Sequence, residues 1–196
     1  MSRTIAVNNA HPHLKIPRGA VAKIVALLDE DFEMLPGDLP HLSLPRVRLT
    51  ALKSAFASQR SPVSSVCPPG ELSIVFLTDP ALAQIHADFM NDPKATDVIT
   101  FEGDPTLGLA GEICVSADTA MRFVEGPSPD GPRSVGRRTL QNAIATELTL
   151  YVVHGWLHLS GYDDLKPARK RRMRAAEKRA MALLQKAKAV PAFQLL

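Results

Sequence analysis

The run H-G-W-L-H-L-S-G-Y-D-D at residues 154–164 holds the residue types of a metal site. Two histidines four apart on a helix, His154 and His158, project from one face about 6 Å apart along the axis. The Ser-Gly pair after them favours the end of the helix, because glycine adopts the left-handed C-terminal conformation at little steric cost. The chain can then bring Asp163 or Asp164 back towards the histidines. Three protein ligands and one open position are typical of a catalytic zinc site rather than a structural one.

Other interpretations of the same region remain open. The histidines could lie by chance on an amphipathic helix before an acidic turn. A zinc protease of the H-E-x-x-H type is disfavoured, because Gly155 stands where such enzymes carry their glutamate base. Asp163 is a weak candidate for a general base. The role that we favour for it is that of a turn residue, or of a hydrogen-bond partner that orients a ligating histidine. Glu147, two helical turns before His154, is interpreted as a solvated or salt-bridged residue of the helix.

A strongly basic segment follows the histidines. Of the chain's 23 basic and 20 acidic residues, ten basic ones and a single acid, Glu177, lie between residues 166 and 188. The rest of the chain is therefore net acidic. A basic helix on an acidic body suits a polyanion such as RNA, through phosphate contacts and counterion release. A merely solvated helix face is the alternative.

The sequence also predicts the strands and helices that must position these residues. The apolar run 71–78 predicts a buried strand, followed by a helix that begins at Asp79 and Pro80 with Asp79 as its cap. The mixture indicates an α+β fold, a small mixed sheet covered by helices. The remaining predictions are strands at 4–7, 98–101 and 112–116, helices at 21–28, 47–58, 138–159 and 166–188, and loops at 61–70 and 126–136.

Composition limits the class of protein. The length of 196 residues suits a single domain with a core of its own. The two cysteines, Cys67 and Cys114, form no C-x-x-C pair, which favours a reducing cytoplasmic location over a disulfide scaffold. The first residues show no signal peptide, and no apolar run reaches about 18 residues, so we expect no membrane helix.

Residues 154–164 resemble the signature H-G-x-L-H-L-x-G-Y-D-H of the YbeY family, and they match every specified position except the last. Residues 95–101 resemble the family's P-T-(D/N)-V-L-S-F segment, and residues 111–115 resemble G-D-I-x-I. The resemblance covers about residues 72–181. Residues 31–69 are longer than the family's equivalent, which indicates an insertion within one YbeY-like domain.

The YbeY family consists of bacterial metal-dependent endoribonucleases of ribosomal RNA maturation. The resemblance implies a zinc-metalloprotease-like fold and one zinc ion, or Mn²⁺ or another divalent ion, held by His154, His158 and Asp164. It also implies cleavage of single-stranded ribosomal RNA, contact with the small ribosomal subunit and a role in ribosome quality control. Asp164 stands where the family has histidine. A carboxylate still binds zinc at a similar distance, but it weakens the Lewis acid and favours harder metals such as manganese.

A second departure from the family concerns an arginine. The family's L-N-x-x-(Y/F)-R segment directs this arginine to the metal cleft, and in residues 85–90 of this chain the position is Met90. A thioether cannot stabilise phosphate charge as a guanidinium does. The departure supports an alternative function, a catalytically attenuated metal-binding ribosome-assembly factor that binds ribosomal RNA without cleaving it. The residues that we predict to supply compensating or RNA-binding charge are Lys94, Arg171, Arg172 and Arg174.

Overall fold

The computed structural model describes residues 3–35, 38, 67–92, 94–126 and 137–196, and these contain six strands and five α-helices. In chain order the strands are β1 (Ile5–Asn9), β2 (Leu14–Lys15), β3 (Glu71–Leu77), β4 (Val98–Glu102), β5 (Leu109–Ser116) and β6 (Gln194–Leu195). The helices are α1 (Arg18–Asp31), α2 (Asp79–Met90), α3 (Ala117–Glu125), α4 (Arg137–Leu159) and α5 (Pro167–Lys186), and a 3-10 turn (Pro105–Leu107) joins β4 to β5.

Four of the strands form one mixed sheet in the order β1-β3-β5-β4. Strands β1, β3 and β5 are parallel, and β4 pairs antiparallel with β5 through the 3-10 turn. Alternate residues of β3 enter two separate apolar clusters. Leu72, Ile74 and Phe76 belong to the main core, and Leu77 packs with Leu82 of α2. The sheet is therefore covered on both faces, as parallel strands require, and the predicted α+β fold is confirmed.

Helix α4 lies close against this sheet because of a glycine. A Cβ atom built on Gly155 would lie 2.5 Å from Cγ2 of Ile113 and 3.1 Å from Cγ2 of Thr100. On the same helix, Trp156 is fully buried and its Nε1 donates a hydrogen bond of 3.0 Å to Asp29. Gly155 thus sets the distance between the sheet and the helix that carries the histidines.

Helix α4 ends as its sequence predicts. Gly161 has a φ of +91°, and its amide donates to the carbonyl of His158. The amide of Tyr162 donates to the carbonyl of Leu157, so the two bonds satisfy the last carbonyls of the helix in the Schellman arrangement. The turn redirects the chain into the acidic residues and then into α5.

Helix α5 is the predicted basic helix. Its buried residues, Met173, Ala176, Ala180 and Leu184, recur every three or four positions and form one apolar stripe. This stripe packs against α4 and α1. The basic side chains therefore occupy the remaining faces of the helix.

Some predictions about elements need correction. Thr78, not Asp79, caps α2, because the Thr78 hydroxyl accepts the Ala81 amide. Helix α3, 117–125, was not predicted, and the two-residue strands β2 and β6 are too short for any periodicity to reveal. The predicted helix 47–58, the loop 126–136 after Gly126 and most of the loop 61–70 lie outside the described residues. Cys67 and Cys114 are both free and buried, and none of the described helices is long and apolar enough to cross a membrane.

Candidate metal centre and nucleic-acid cleft

The imidazoles of His154 and His158 face each other on one side of α4. Their Nε2 atoms are 2.9 Å apart, and the rings are nearly perpendicular with centroids 4.5 Å apart. Each ring is oriented through its other nitrogen. Nδ1 of His154 lies 2.7 Å from Oε1 of Glu177 on α5, and Nδ1 of His158 lies 3.0 Å from the carbonyl oxygen of Tyr162. The helix spacing and the glycine-terminated turn together produce this arrangement.

These contacts fix where the protons of the rings lie. A carbonyl oxygen can only accept a hydrogen bond, so Nδ1 of His158 carries a hydrogen. The Glu177 carboxylate likewise favours a hydrogen on Nδ1 of His154. Burial, reinforced by the neighbouring His154, lowers the pKa of His158 and favours the neutral ring. The two Nε2 atoms lie beside one cavity and within hydrogen-bond distance of each other, and in the neutral rings they are the nitrogens that could bind a metal.

Asp164, the predicted third ligand, lines the same cavity as His154 and is half-buried. Its charge acts on His158, whose pKa it tends to raise. Within the described ranges, however, no three His, Cys, Asp or Glu side chains are grouped closely enough to hold a metal ion. In a tetrahedral zinc site with bonds of about 2.0–2.1 Å, the two histidine nitrogens would be about 3.3 Å apart. The structure thus brings the two histidines together, and ligation by Asp164 stays a prediction.

Asp163 has a structural contact instead of a place at the cleft. Its Oδ2 accepts a hydrogen bond from Nη1 of Arg169, and its Oδ1 lies 3.3 Å from the amide of Leu165. It is not among the described residues on the cavity wall. This arrangement supports our interpretation of Asp163 as a turn residue rather than a general base.

Beside His154 lies a cavity of about 520 Å³, enclosed by the segment before β4 and by helices α3, α4 and α5. Three cationic side chains line it, one from α3 and two from the basic helix α5. Four carboxyl groups line it as well. The charged wall residues are Arg122, Lys170, Arg174, Asp97, Glu147, Asp164 and Glu177. The carboxyl groups outnumber the cations, so the charge of a phosphate ester would be balanced only where it lies beside Arg122, Lys170 or Arg174.

The predicted RNA-binding residues divide into two groups. Arg174 lines the cavity, whereas Lys94, Arg171 and Arg172 are not among the described residues on its wall. The side chain of Lys94 is 84% exposed, with Nζ 3.6 Å from Oδ2 of Asp92. Met90 is 56% exposed at the end of α2 and is likewise absent from the described wall. The position that carries arginine in the family is thus outside the cavity in this chain.

Sequence reasoning missed three residues of the site. Glu177 orients His154, and its one sequence signal was that it is the single acid of a basic segment. Arg122 gave no signal, because its helix was not predicted. Glu147 was interpreted as solvated or salt-bridged, but it is half-buried on the cavity wall. Burial raises the pKa of Glu147, and a hydrogen bond from Tyr151 offsets only part of that rise. The environment therefore disfavours the charged form of Glu147.

Comparison with known proteins identifies the family of the chain. The family model described as Endoribonuclease YbeY matches residues 48–185. Endoribonuclease YbeY of Chlamydia pneumoniae is 38% identical over 121 residues, which are 59% of this chain and 70% of the relative. Endoribonuclease YbeY of Rhodopirellula baltica is 32% identical over 163 residues, 81% of this chain and 74% of the relative.

A solution structure of a Thermotoga maritima protein is similar to this chain with a TM-score of 0.49 and 16% sequence identity, over 96% of this chain and 95% of the other. The family match is wider than the region 72–181 in which the motifs were recognised. Because the family model matches more than half of the chain, and the Chlamydia relative is covered over 70% of its length at 38% identity, this chain belongs to the YbeY family.

Proposed function

We propose that the protein is a metal-dependent, single-strand-specific endoribonuclease that acts in ribosomal RNA maturation and ribosome quality control. The observation that carries this proposal is the pair of Nε2 atoms, 2.9 Å apart, beside a cavity whose wall carries three cations as well as four carboxyl groups. The activity is that of the relatives named endoribonuclease. The location we propose is the cytoplasm, and the partners are ribosomal RNA and the small ribosomal subunit.

His154, His158 and Asp164 would hold one divalent ion, with zinc favoured and manganese as the second choice. The donor set fits such an ion because each ring is held by an acceptor on Nδ1, which directs its Nε2 towards the other ring, where an ion could replace the shared hydrogen. A carboxylate as third ligand gives the two-histidine, one-carboxylate composition that catalytic zinc accepts. When bound, such an ion polarises a phosphoryl oxygen and lowers the pKa of a coordinated water.

The chain's own residues would position the RNA and the ligands. Glu177 keeps Nδ1 of His154 protonated, so that Nε2 remains available as a donor. Lys170 and Arg174 line the cavity from α5 and would balance the charge of the RNA phosphates. The basic helix therefore contributes to the cleft both a carboxylate that orients a ligand and cations for the substrate.

The alternative function is a ribosome-assembly factor that keeps the fold and the metal but cleaves RNA slowly or not at all. One observation favours it, namely that Met90 is largely exposed at the end of α2 and offers no guanidinium to the cavity. A gain in cleavage of tenfold or more in Met90→Arg, with unchanged metal content, would identify an attenuated enzyme, since one well-placed cationic donor contributes about a hundredfold or more in rate.

One experiment tests the proposed function. The metal content of the purified protein is measured by mass spectrometry, and cleavage of a single-stranded and a duplex RNA is assayed in parallel. We expect about one ion per chain, cleavage of the single strand, and loss of both in His154→Ala. His13→Ala is the matched control, because His13 is an exposed histidine far from the pair in the sequence. Bound metal without cleavage would favour the assembly factor, and cleavage that survives His154→Ala would refute the site.

A further inference from the structure

Helix α3 exposes an aromatic ring on the cavity wall. Phe123 is 68% exposed although it lines the cavity beside Arg122. The helix itself is anchored, because Ala117 and Ala120 are buried in the core and Val124 packs against it. An exposed phenylalanine is not stabilised by burial, and here the helix holds it in place at the edge of a charged cleft.

Arg122, the neighbour of Phe123, is held by two contacts, one of them to Thr119, which also lines the cavity. Its Nη1 donates to Oδ2 of Asp79, and its Nη2 donates to Oγ1 of Thr119 at 2.9 Å. Asp79 is itself fixed, because its Oδ1 accepts hydrogen bonds from the hydroxyls of Ser116 and Thr119. These two contacts use two of the five N–H donors of the guanidinium.

The Asp79 carboxylate is ionised and belongs to a network that the sheet positions. Burial opposes its ionisation, but the hydrogen bonds from Ser116, Thr119 and Arg122 hold its pKa below the ordinary value. Its side chain is 14% exposed, whereas that of Arg122 is 59% exposed. The largely buried carboxylate thus orients the guanidinium, and Arg122 remains largely exposed on the cavity wall. Burial raises the pKa of Tyr151 on the same wall, and the charge of Arg122 only partly opposes that rise.

We propose that Arg122 and Phe123 form a subsite for one unpaired ribonucleotide of the RNA strand, with the Phe123 ring stacked on the base and the Arg122 guanidinium on a phosphate. Aromatic rings stack on any base, but only on one that is not already stacked and paired in a duplex. The subsite rests on the proposed function and deepens it, because it gives a physical reason for a preference for single strands. It also supplies, from α3, the guanidinium that Met90 does not provide from α2.

Binding of a fluorescein-labelled, ten-nucleotide single-stranded RNA to the full chain tests the subsite. Fluorescence anisotropy is measured at several salt concentrations, with the RNA checked to be intact on a gel. We expect Phe123→Ala to weaken binding by about five- to a hundredfold without changing the salt dependence, because stacking is not ionic. The matched control is Phe89→Ala, since Phe89 is 72% exposed at the end of α2 and is not among the described residues on the cavity wall.

The arginine gives a separate measurement. Arg122→Gln should reduce the slope of log affinity against log salt by about 0.7, the value for one phosphate contact of a single strand. Arg122→Lys, which keeps the charge beside Asp79, should restore that slope and guards against a loss caused by misfolding. The control is Arg18→Gln, which alters an exposed arginine on α1. In Phe123→Trp, the new indole should be quenched by single-stranded RNA but not by duplex RNA, whereas the native Trp156 is fully buried.

The outcomes separate the subsite from the enzyme. Binding and cleavage at wild-type levels in both Phe123→Ala and Arg122→Gln would refute the subsite and leave the proposed function standing. Weakened binding in these variants, with no cleavage by the wild type, would support the subsite in an assembly factor. A wild-type protein that does not bind the single strand would overturn both.

Discussion

Gly155 allows a sharp test of how closely helix α4 must approach the sheet. A Cβ at this position would lie 2.5 Å from Cγ2 of Ile113, a distance at which the backbone or the neighbouring side chain has to move. Ile113 is fully buried, and Cγ2 is attached directly to its Cβ, so it cannot swing aside as the end of a flexible chain would. We therefore expect Gly155→Ala to act as an overpacking substitution.

The magnitude follows from two opposing contributions. Overpacking a well-packed core costs about 1–3 kcal/mol in the free energy of unfolding. Alanine in place of glycine in a helix contributes up to about 1 kcal/mol in the opposite direction. Subtracting the second contribution from the first leaves a net destabilisation of about 0–3 kcal/mol for Gly155→Ala, and the middle of that range, about 1.5 kcal/mol, corresponds to a fall in Tm of about 3–6 °C for a chain of this length.

A second glycine of the same chain, Gly19, provides the control. Gly19 lies in helix α1, and a Cβ there would meet nothing within 4 Å, so Gly19→Ala should raise the Tm or leave it unchanged. Both variants and the wild type are compared by calorimetry and by urea unfolding. In an Ile113→Ala background, the penalty of Gly155→Ala should shrink, since the clashing Cγ2 is gone. A Tm for Gly155→Ala as high as that for Gly19→Ala would refute the close approach.

Three further predictions follow from the contacts of the site. Glu177→Ala should weaken metal binding by about 10–100-fold, because His154 loses the partner that orients it; unchanged affinity in calorimetric titration would exclude that role. Arg174→Gln should reduce the salt slope of RNA binding by about 0.7, and Arg171→Gln should reduce it less, because Arg174 lines the cavity; equal slopes would indicate a diffuse basic surface. Asp79→Asn should lower the free energy of unfolding at neutral pH and make that free energy fall less steeply as the pH is lowered. The wild-type Asp79 carboxylate has a lower pKa in the folded chain than in the unfolded chain. It therefore stabilises the fold at pH values above the unfolded-state pKa and loses that effect as the pH falls through the folded-state pKa. Parallel curves of urea midpoint against pH for the two proteins would contradict this.

The elements that follow from local patterns could be predicted from the sequence. The predicted strand 71–78 and helix 138–159 agree with β3 and α4 within a residue at each end, because a continuous apolar run and a long helical periodicity are strong signals. The end of α4 at Gly161 was also predictable, since only a residue that tolerates a positive φ fits there. Helix α3 escaped prediction because it is nine residues long and follows β5 without an intervening loop.

By itself, the sequence determined that His154 and His158 face the same side of one helix, that a glycine ends this helix, and that a basic amphipathic helix follows. Each of these follows from the spacing of residues that are close together in the sequence. Only the tertiary structure decided which residues surround the pair. Glu177 reaches His154 across the packing of α5 on α4, and Arg122 enters the cavity from a helix that the sheet places beside it. Contacts between distant elements depend on strand order and helix packing, which no local pattern specifies, and they decided where the charge of the cleft lies.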